Sequence, residues 1–359
     1  MGDCHKEDFM EFLNDKINDL VADNVIPGMT YAIIKDETVN IGSSGYKSLL
    51  PLPTMVKDDT IYDIASLTKV LVIVPLISQL IDNEIVNFND KVTKYLPRFK
   101  YSDITIYQLL THTSGLPADL SSKEILSKEE ILIQIYSLDK IYEPGSKVVY
   151  SDIGYILLGE VIEHIYHQSL DIVVKEELFI PLEMYDTSYN PLDKDRCAPT
   201  EVTLDRGIIQ GIVHDEKACS MNGIAGNAGV FSTVHDLSNF VSMVLNNGIY
   251  KGKRILSEEI IDLWFQPLIY EKERNRYRSL CFIVGNNDLV IEEGNNDVIS
   301  FNGFTGPSIS IDRDNHLGII LMTNRIHPTR DNRKISDERP KITNLIYENL
   351  VYSNKRLTQ

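Results

Sequence analysis

The sequence predicts an α/β (α+β) protein in which one antiparallel sheet is interrupted by a helical region. Two observations support this class: strand patterns occur near both ends of the chain, and helical periodicity dominates from about residue 70 to residue 210. With 359 residues, of which 43% are apolar and 24% charged, the chain can bury a large core in one big domain or two closely joined ones.

The first half of the chain begins with a predicted helix. Residues 6–22 carry apolar side chains at helical spacing, and a Pro-Gly pair then leads into predicted strands over 30–34 and 38–41. Most periodic segments after residue 70 favour helices, including 104–110, 128–136 and 153–166.

Strand patterns return near the C-terminus. Residues 308–311 alternate in polarity, a polar turn follows, and 317–322 are almost continuously apolar, which predicts a hairpin with one buried strand. A last helix is predicted over about 341–352.

Charge and composition argue against several classes of partner. The chain has 35 Lys and Arg against 52 Asp and Glu, a net charge of −17, so nucleic acid is not expected as a partner, and no run of Lys and Arg suggests a basic patch. The longest apolar run, 70–76, is shorter than the roughly 20 residues that a membrane span needs. No signal-peptide pattern is visible and the four cysteines are scattered, so we expect a cytoplasmic protein. The sequence does not indicate an oligomeric state.

The pattern Ser-x-x-Lys occurs three times, at Ser44/Lys47, Ser66/Lys69 and Ser137/Lys140. Ser66 alone opens an apolar helix, and residues three apart share a helix face, so Lys69 should lie beside Ser66 in a dry site. Burial and the helix N-terminus both disfavour a charged amine, so we expect Lys69 to be partly neutral and to accept the serine proton. The alternative, that Ser66 caps the helix and Lys69 extends to solvent, stays equally open at this point.

Other chemical motifs are missing from the sequence. There is no G-x-S-x-G, no H-E-x-x-H and no G-x-G-x-x-G, so neither a metal nor a cofactor is predicted. His112 lies between apolar segments and is expected to be a structural histidine. His164 and His167 are expected to lie on a solvated helix face.

Further segments share a pattern with a known superfamily. They are D-I-A-S-L-T-K (63–69), L-L-T-H-T-S-G-L-P (109–117), Y-S-D (150–152), V-H-D-E-K-A (213–218), A-G-N-A-G-V-F-S-T (225–233), N-G-F-T-G (302–306) and T-N-R-I-H-P (323–328). Over roughly residues 27–350 the chain resembles the class C β-lactamase-like branch of the serine β-lactamases and penicillin-binding proteins. The resemblance implies an antiparallel sheet flanked by helices (1–75 and 211–359), an inserted all-helical region (76–210), and an active site in the cleft between them.

The resemblance also implies roles for individual residues. Ser66 would be the nucleophile, and Lys69 and Tyr150 would manage its proton. The alternative for Tyr150 is an ordinary core tyrosine before a helix. The backbone N–H groups of Ser66 and Phe304 would form the oxyanion hole.

Two departures from the family pattern concern the substrate. Asp152 stands where relatives usually have Asn; it is expected to alter a substrate contact, or alternatively to pair with Lys69 and raise its pKa. Phe301 replaces a Lys or His that could bind a carboxylate, so β-lactamase activity is doubtful. Arg325 or Arg330 could supply the missing cation, or be solvated surface arginines. The remaining expected cleft residues are Asn227, Asn302 and Gly303.

The predicted function is therefore a serine hydrolase that forms an acyl-enzyme with a small ester or a D-amino-acid peptide or amide. Within the same class the alternatives are a D-alanyl-D-alanine carboxypeptidase or penicillin-binding protein, or a β-lactamase. A different class, a binding protein that keeps the fold without turnover, is also open, because Asp152 and Phe301 depart from the pattern.

Overall fold

The computed structural model describes residues 3–120, 126–285 and 297–352. In chain order the strands are β1 (Gly28–Lys35), β2 (Thr38–Ser48), β3 (Thr54–Met55), β4 (Tyr62–Asp63), β5 (Ser188–Tyr189), β6 (Val202–Thr203), β7 (Gly207–Ile208), β8 (Val230–Ser232), β9 (Ile249–Tyr250), β10 (Lys253–Arg254), β11 (Ile269–Glu271), β12 (Arg276–Arg278), β13 (Ile283–Val284), β14 (Val298–Asn302), β15 (Ser308–Asp312) and β16 (Leu317–Thr323). The α-helices are α1 (Asp3–Ala22), α2 (Val74–Asp82), α3 (Ile106–Leu110), α4 (Lys128–Ser137), α5 (Asp152–Tyr166), α6 (Leu170–Val174), α7 (Glu216–Ser220), α8 (Val234–Leu245), α9 (Glu258–Phe265) and α10 (Ile335–Tyr347).

The largest sheet is antiparallel and joins strands from both ends of the chain, in the order β11-β12-β13-β14-β15-β16-β1-β2-β3. Alternate residues of β1 point to opposite faces, as the pleat requires. Tyr31 and Ile33 pack with α1 and α10, whereas Ala32 and Ile34 join the main core. Gly42 lies opposite Tyr31, and a Cβ at this position would come within 2.4 Å of the tyrosine ring, so the pair fits only with glycine.

The helical part, here α2, α3, α5 and α8, lies on the second face of this sheet, where α8 packs directly against β1 and β16. One continuous hydrophobic core holds residues of α2, α3, α5 and α8 together with those of the sheet. The three-stranded sheet β4-β8-β5 joins the segment before Ser66 to the segments around 188 and 231. The division into the two regions stays a prediction, since a single core runs through both.

Sequence patterns predict the long elements better than the short ones. The predicted hairpin corresponds to β15 and β16, and the predicted helix over 153–166 corresponds to α5. The last helix begins earlier than predicted, at Ile335, because the chain accommodates Pro340 inside it instead of starting after it. Strands of two or three residues, such as β4, β5 and β11–β13, leave no periodic signal.

Within the described ranges, no helix has the length and apolar character needed to cross a membrane.

Candidate active site

Ser66 lies in a tight turn between β4 and the first buried helix. Ala65 adopts a φ of 45°, a left-handed conformation that is uncommon for L residues. The carboxylate of Asp63 accepts hydrogen bonds from the N–H of Ala65 (2.8 Å) and the N–H of His214 (2.7 Å), and burial raises the pKa of Asp63. The Lys69 N–H donates to the Ser66 carbonyl at 3.1 Å. The serine is thus presented from a turn that is tied to the neighbouring loop.

Lys69 lies one turn further along and is completely buried (0% exposed). It opens a π-helical turn, Lys69–Ile73, just before α2. Its Nζ donates to Ser66 Oγ at 2.9 Å and to the carbonyl of Asn227 at 2.9 Å, and it lies 2.7 Å from Oδ1 of Asp152. The first two contacts are hydrogen bonds and the third is an ion pair. The structure therefore brings Lys69 to Ser66 and excludes the alternative in which the lysine extends to solvent.

The charge state of Lys69 differs from the expectation. Burial by itself lowers the pKa of Lys69, but the carboxylate of Asp152 and the phenol of Tyr150 outweigh it and raise the pKa well above the usual value. The prediction of a partly neutral Lys69 was therefore wrong, because it considered burial and the helix N-terminus but not a carboxylate from a distant segment. Of the two readings of Asp152, its pairing with Lys69 is the one that the structure displays.

Tyr150 lies between the helical part and the sheet, next to both groups. Its phenol hydrogen-bonds with the Ser66 hydroxyl and with Lys69, whose Nζ is 5.0 Å from the centre of the tyrosine ring. Burial raises the pKa of Tyr150, and the Lys69 charge lowers it in part. A protonated phenol in this position can pass a proton between the serine and the lysine.

His112 fixes the segment that carries Tyr150. The carbonyl of His112 accepts from the N–H of Val149 (2.8 Å), and its Nδ1 accepts from the N–H of Ser151 (3.1 Å), so the histidine holds both neighbours of Tyr150. Burial and the charge of Arg278 lower the pKa of His112 well below its ordinary value, which keeps the ring neutral. The expectation of a hydrogen-bonded structural histidine agrees with these contacts, although its link to Tyr150 was not foreseen.

The backbone around Phe304 faces the nucleophile turn. Gly303 packs so closely on this turn that a Cβ would lie 2.5 Å from the carbonyl oxygen of Ile64. In the described part of the chain, the N–H groups of Ser66 and Phe304 have no hydrogen-bond partner. Both residues line the same cleft, so their N–H groups are available as the kind of donor that an oxyanion hole uses.

These groups open into one cleft of about 550 Å³ between the helical part and the end of β14. Ser66, Tyr150 and Asp152 line it on one side. The predicted cleft residues Phe301, Asn302, Gly303 and Phe304 line it on the other, and the Phe301 ring lies 6.4 Å from that of Tyr150.

Asn227 does not reach the cleft. Its side chain is fully buried, its Nδ2 donates to Oδ1 of Asp215 at 3.3 Å, and its carbonyl accepts from Lys69. The prediction that Asn227 contacts the substrate is thus corrected: the carbonyl of Asn227 accepts a hydrogen bond from Lys69 instead. Asp215, for which the sequence suggested no role, holds this asparagine and caps α7 through the N–H of Ala218.

The two candidate cations after β16 differ from each other. Arg330 is ion-paired with Glu201 (2.7 Å) and Glu216 (2.8 Å). Arg325 is largely buried over the Phe304 ring, with Cζ 4.8 Å from the ring centre, and donates to backbone carbonyls; no described carboxylate pairs with it. Both line the cleft, so neither is a plain surface arginine, but only Arg325 keeps its charge unpaired.

A second group of arginines was missed by the sequence reasoning. Arg274, Arg276 and Arg278, here called the arginine wall, line the same cleft beside Tyr150. This is a local basic patch, which no run of Lys and Arg in the sequence suggested. The alternation R-N-R-Y-R over 274–278 was a signal that could have indicated this wall.

The groups around Ser66 have the chemistry that nucleophilic acyl transfer requires. It combines a hydroxyl, a lysine and a phenol within hydrogen-bond reach of one another with two free N–H donors. Among the described residues, no cluster of three His, Cys, Asp or Glu side chains has the arrangement of a metal site.

Comparison with protein families gives a match over most of the chain. The family model described as Beta-lactamase matches residues 13–341. A Bacillus subtilis protein named N-acetylmuramyl-L-alanine amidase is 30% identical over 349 residues, which cover 84% of this chain and 78% of the relative. A Salmonella agona protein named "Putative D-alanyl-D-alanine carboxypeptidase" is 30% identical over 355 residues, covering 86% and 81%.

Solved structures with the same fold are more distant in sequence. A class C β-lactamase superposes with a TM-score of 0.78 at 18% identity and covers 95% of this chain and 96% of its own. A hydrolase with promiscuous acyltransferase activity, EstCE1, gives a TM-score of 0.77 at 18% identity, with 96% and 99% coverage. At this level of sequence identity, the two structures show the fold of the chain and do not identify its substrate.

Proposed function

The chain belongs to the beta-lactamase family, and within this family of serine hydrolases we propose that it cleaves an amide or ester bond of a small peptide-like molecule through an acyl-enzyme on Ser66. The single observation that carries the proposal is the contact of 2.9 Å between Lys69 Nζ and Ser66 Oγ, inside a cleft and one turn apart. The amide bond is favoured because both 30%-identical relatives are named for enzymes that act on amides.

The proposed reaction has two halves. Ser66 Oγ attacks the carbonyl carbon, its proton passes through Lys69 and Tyr150 to the leaving nitrogen or oxygen, and the carbon–leaving-group bond breaks. Water then attacks the acyl-serine ester, gives its proton back to the serine oxygen, and releases the acid. The N–H groups of Ser66 and Phe304 would hold the oxyanion in both halves, each contributing about 3 kcal/mol to the transition state.

The Lys69–Asp152 pair sets the protonation condition for this reaction. With the pKa of Lys69 raised, the resting lysine is charged and donates to Ser66, and it cannot accept the serine proton in that state. Attack then requires the minority of molecules in which Lys69 is neutral. The fraction of these molecules grows with pH, so the rate of acylation should rise toward alkaline pH.

A panel of substrates tests the proposed function. We would compare 4-nitrophenyl acetate, an N-acylated L-alanine amide, D-alanyl-D-alanine and a chromogenic cephalosporin, each with the native protein and with Ser66→Ala. Turnover of the ester or the amides that disappears in Ser66→Ala supports the proposal. Efficient turnover of the cephalosporin would instead indicate a β-lactamase, which the apolar Phe301 in the cleft argues against.

A second candidate function is binding without turnover, and the Lys69–Asp152 ion pair at 2.7 Å favours it. If Lys69 never loses its proton, Ser66 keeps its hydrogen and the cleft only holds a ligand. Absence of Ser66-dependent turnover at every pH, for all substrates of the panel, would support this function and contradict the hydrolase.

A further inference from the structure

The arginine wall carries more positive charge than its surroundings neutralise. Nε of Arg276 (2.6 Å) and Nε of Arg278 (2.7 Å) both bind Oε2 of Glu271, while Nε of Arg274 lies 3.5 Å from Oε1 of the same carboxylate. No other described carboxylate forms an ion pair with these arginines. Guanidinium groups remain protonated in proteins, so three positive charges share one negative charge.

Two of the three positively charged side chains are largely shielded from water. The Arg278 side chain is 2% exposed and that of Arg276 is 15% exposed. Burial and the neighbouring Arg278 lower the pKa of Arg276, which reports the unfavourable surroundings of its charge. Like charges at close range in a poorly hydrated place cost free energy, and an anion that binds there would recover it.

The wall belongs to the same cleft as the nucleophile. Cζ of Arg278 lies 5.7 Å from the centre of the Tyr150 ring, and Nζ of Lys69 lies 5.0 Å from that same centre. The wall and the amine that contacts Ser66 therefore lie next to the same aromatic ring. An anion bound by the wall would be part of the molecule whose carbonyl reaches the serine.

The balance of charge around the cleft reverses that of the whole protein. The chain has a net charge of −17, yet among the described residues that line the cleft cations outnumber carboxylates. The cations are Lys217, Arg274, Arg276, Arg278, Arg325, Arg330 and Arg339, and the carboxylates are Asp119, Asp152, Asp215 and Glu216. An anionic molecule is repelled by the net charge of the protein and attracted by the described lining of this cleft.

We propose that the arginine wall is a specificity site that binds a carboxylate of the substrate, so that the preferred substrates are anionic amides or esters. The planar guanidinium of Arg276, whose Nε is held by Glu271, can offer its terminal N–H groups to a carboxylate in a two-pronged contact. This inference rests on the proposed hydrolase function and specifies the class of its substrate.

Two matched pairs of esters test this site on either side of the scissile bond. Mono-4-nitrophenyl adipate and 4-nitrophenyl hexanoate differ by a carboxylate at the end of the acyl chain. 4-Acetoxybenzoate and 4-acetoxybenzamide differ by a carboxylate on the leaving group. The readout is the ratio of kcat/KM for the anionic ester to kcat/KM for the neutral ester. We expect this ratio to exceed one in at least one pair and to fall about tenfold or more in Arg276→Gln, as loss of a hydrogen bond to a charged group implies.

Arg254→Gln is the matched control, because Arg254 lies outside the cleft, donates to the carbonyls of Asn247 and Leu256, and its replacement removes the same charge. Its ratio should equal that of the native protein. If Arg276→Gln does not fold, the ratio of the native protein should still fall between about 20 mM and about 500 mM NaCl, since salt screens the attraction. A ratio at or below one in both pairs, or one that Arg276→Gln leaves unchanged, overturns the site. Absence of Ser66-dependent hydrolysis of all four esters, and of every substrate in the panel above, would overturn the hydrolase function itself.

Discussion

Replacing Asp152 by asparagine should move the pH dependence of hydrolysis to lower pH. The carboxylate of Asp152 lies 2.7 Å from Nζ of Lys69, and the two side chains are 21% and 0% exposed. At an effective dielectric constant of about 20, two unit charges at this distance attract by about 6 kcal/mol. This attraction, together with Tyr150, is what raises the pKa of Lys69 against the opposing effect of burial.

Asparagine keeps the shape of the side chain and removes its charge, so burial should then dominate and lower the pKa of Lys69. Even a quarter of the attraction, about 1.5 kcal/mol, corresponds to a shift of about one pH unit. The assay is kcat/KM against pH between about pH 5 and pH 10, which lies below the raised pKa of Lys69, so the rate of the native protein should still be rising at pH 10. We expect the curve of Asp152→Asn to lie at lower pH by at least about one unit, which raises kcat/KM about tenfold at each pH below the midpoint.

Asp119→Asn is the matched control. Asp119 lines the same cleft and carries the same charge, but it pairs with Lys217 at 2.9 Å and does not contact Lys69. Its curve of kcat/KM against pH should stay close to that of the native protein. If Asp152→Asn leaves this curve in place, or moves it to higher pH, the claim that Asp152 keeps Lys69 protonated is refuted.

Three further substitutions have expected outcomes. Tyr150→Phe removes the phenol that hydrogen-bonds with the serine, and kcat should fall by about 100-fold or more with KM little changed in steady-state assays; full retention of kcat would contradict its role in proton transfer. Gly303→Ala places a Cβ 2.5 Å from the Ile64 carbonyl and should sharply lower kcat/KM by displacing the end of β14; a fully active variant would show that this backbone is not a catalytic support. Tyr347→Phe removes a buried 2.8 Å hydrogen bond to Asp312, and neither residue lines the cleft. The free energy of unfolding in urea should therefore fall by about 1 kcal/mol while kcat/KM is kept, and unchanged stability would contradict the expectation.

The sequence could identify the local part of the candidate site. Of three Ser-x-x-Lys pairs, only Ser66 and Lys69 opened a buried apolar helix, and helix geometry alone then places the two side chains together. The other two pairs are engaged elsewhere: Ser44 hydrogen-bonds Asn18, and Lys140 pairs with Asp103. Spacing along one helix is a property of the local chain and can therefore be predicted.

Contacts between distant segments could not be predicted in the same way. The charge of Lys69 depends on Asp152, which arrives from the start of α5, and the position of Tyr150 depends on His112 after α3. The strands β11–β13 are too short to give a periodic signal. Pattern reasoning therefore missed that they bring the arginines of 274–278 to the cleft.

The claim on which everything else depends is that the Ser66 hydroxyl becomes covalently acylated. Incubation with a fluorophosphonate, followed by intact mass measurement and peptide mapping, tests it most directly. We predict one adduct per chain, located on the peptide that contains Ser66 and absent in Ser66→Ala. No adduct, or an adduct on another serine such as Ser44 or Ser137 that persists in Ser66→Ala, would contradict the account.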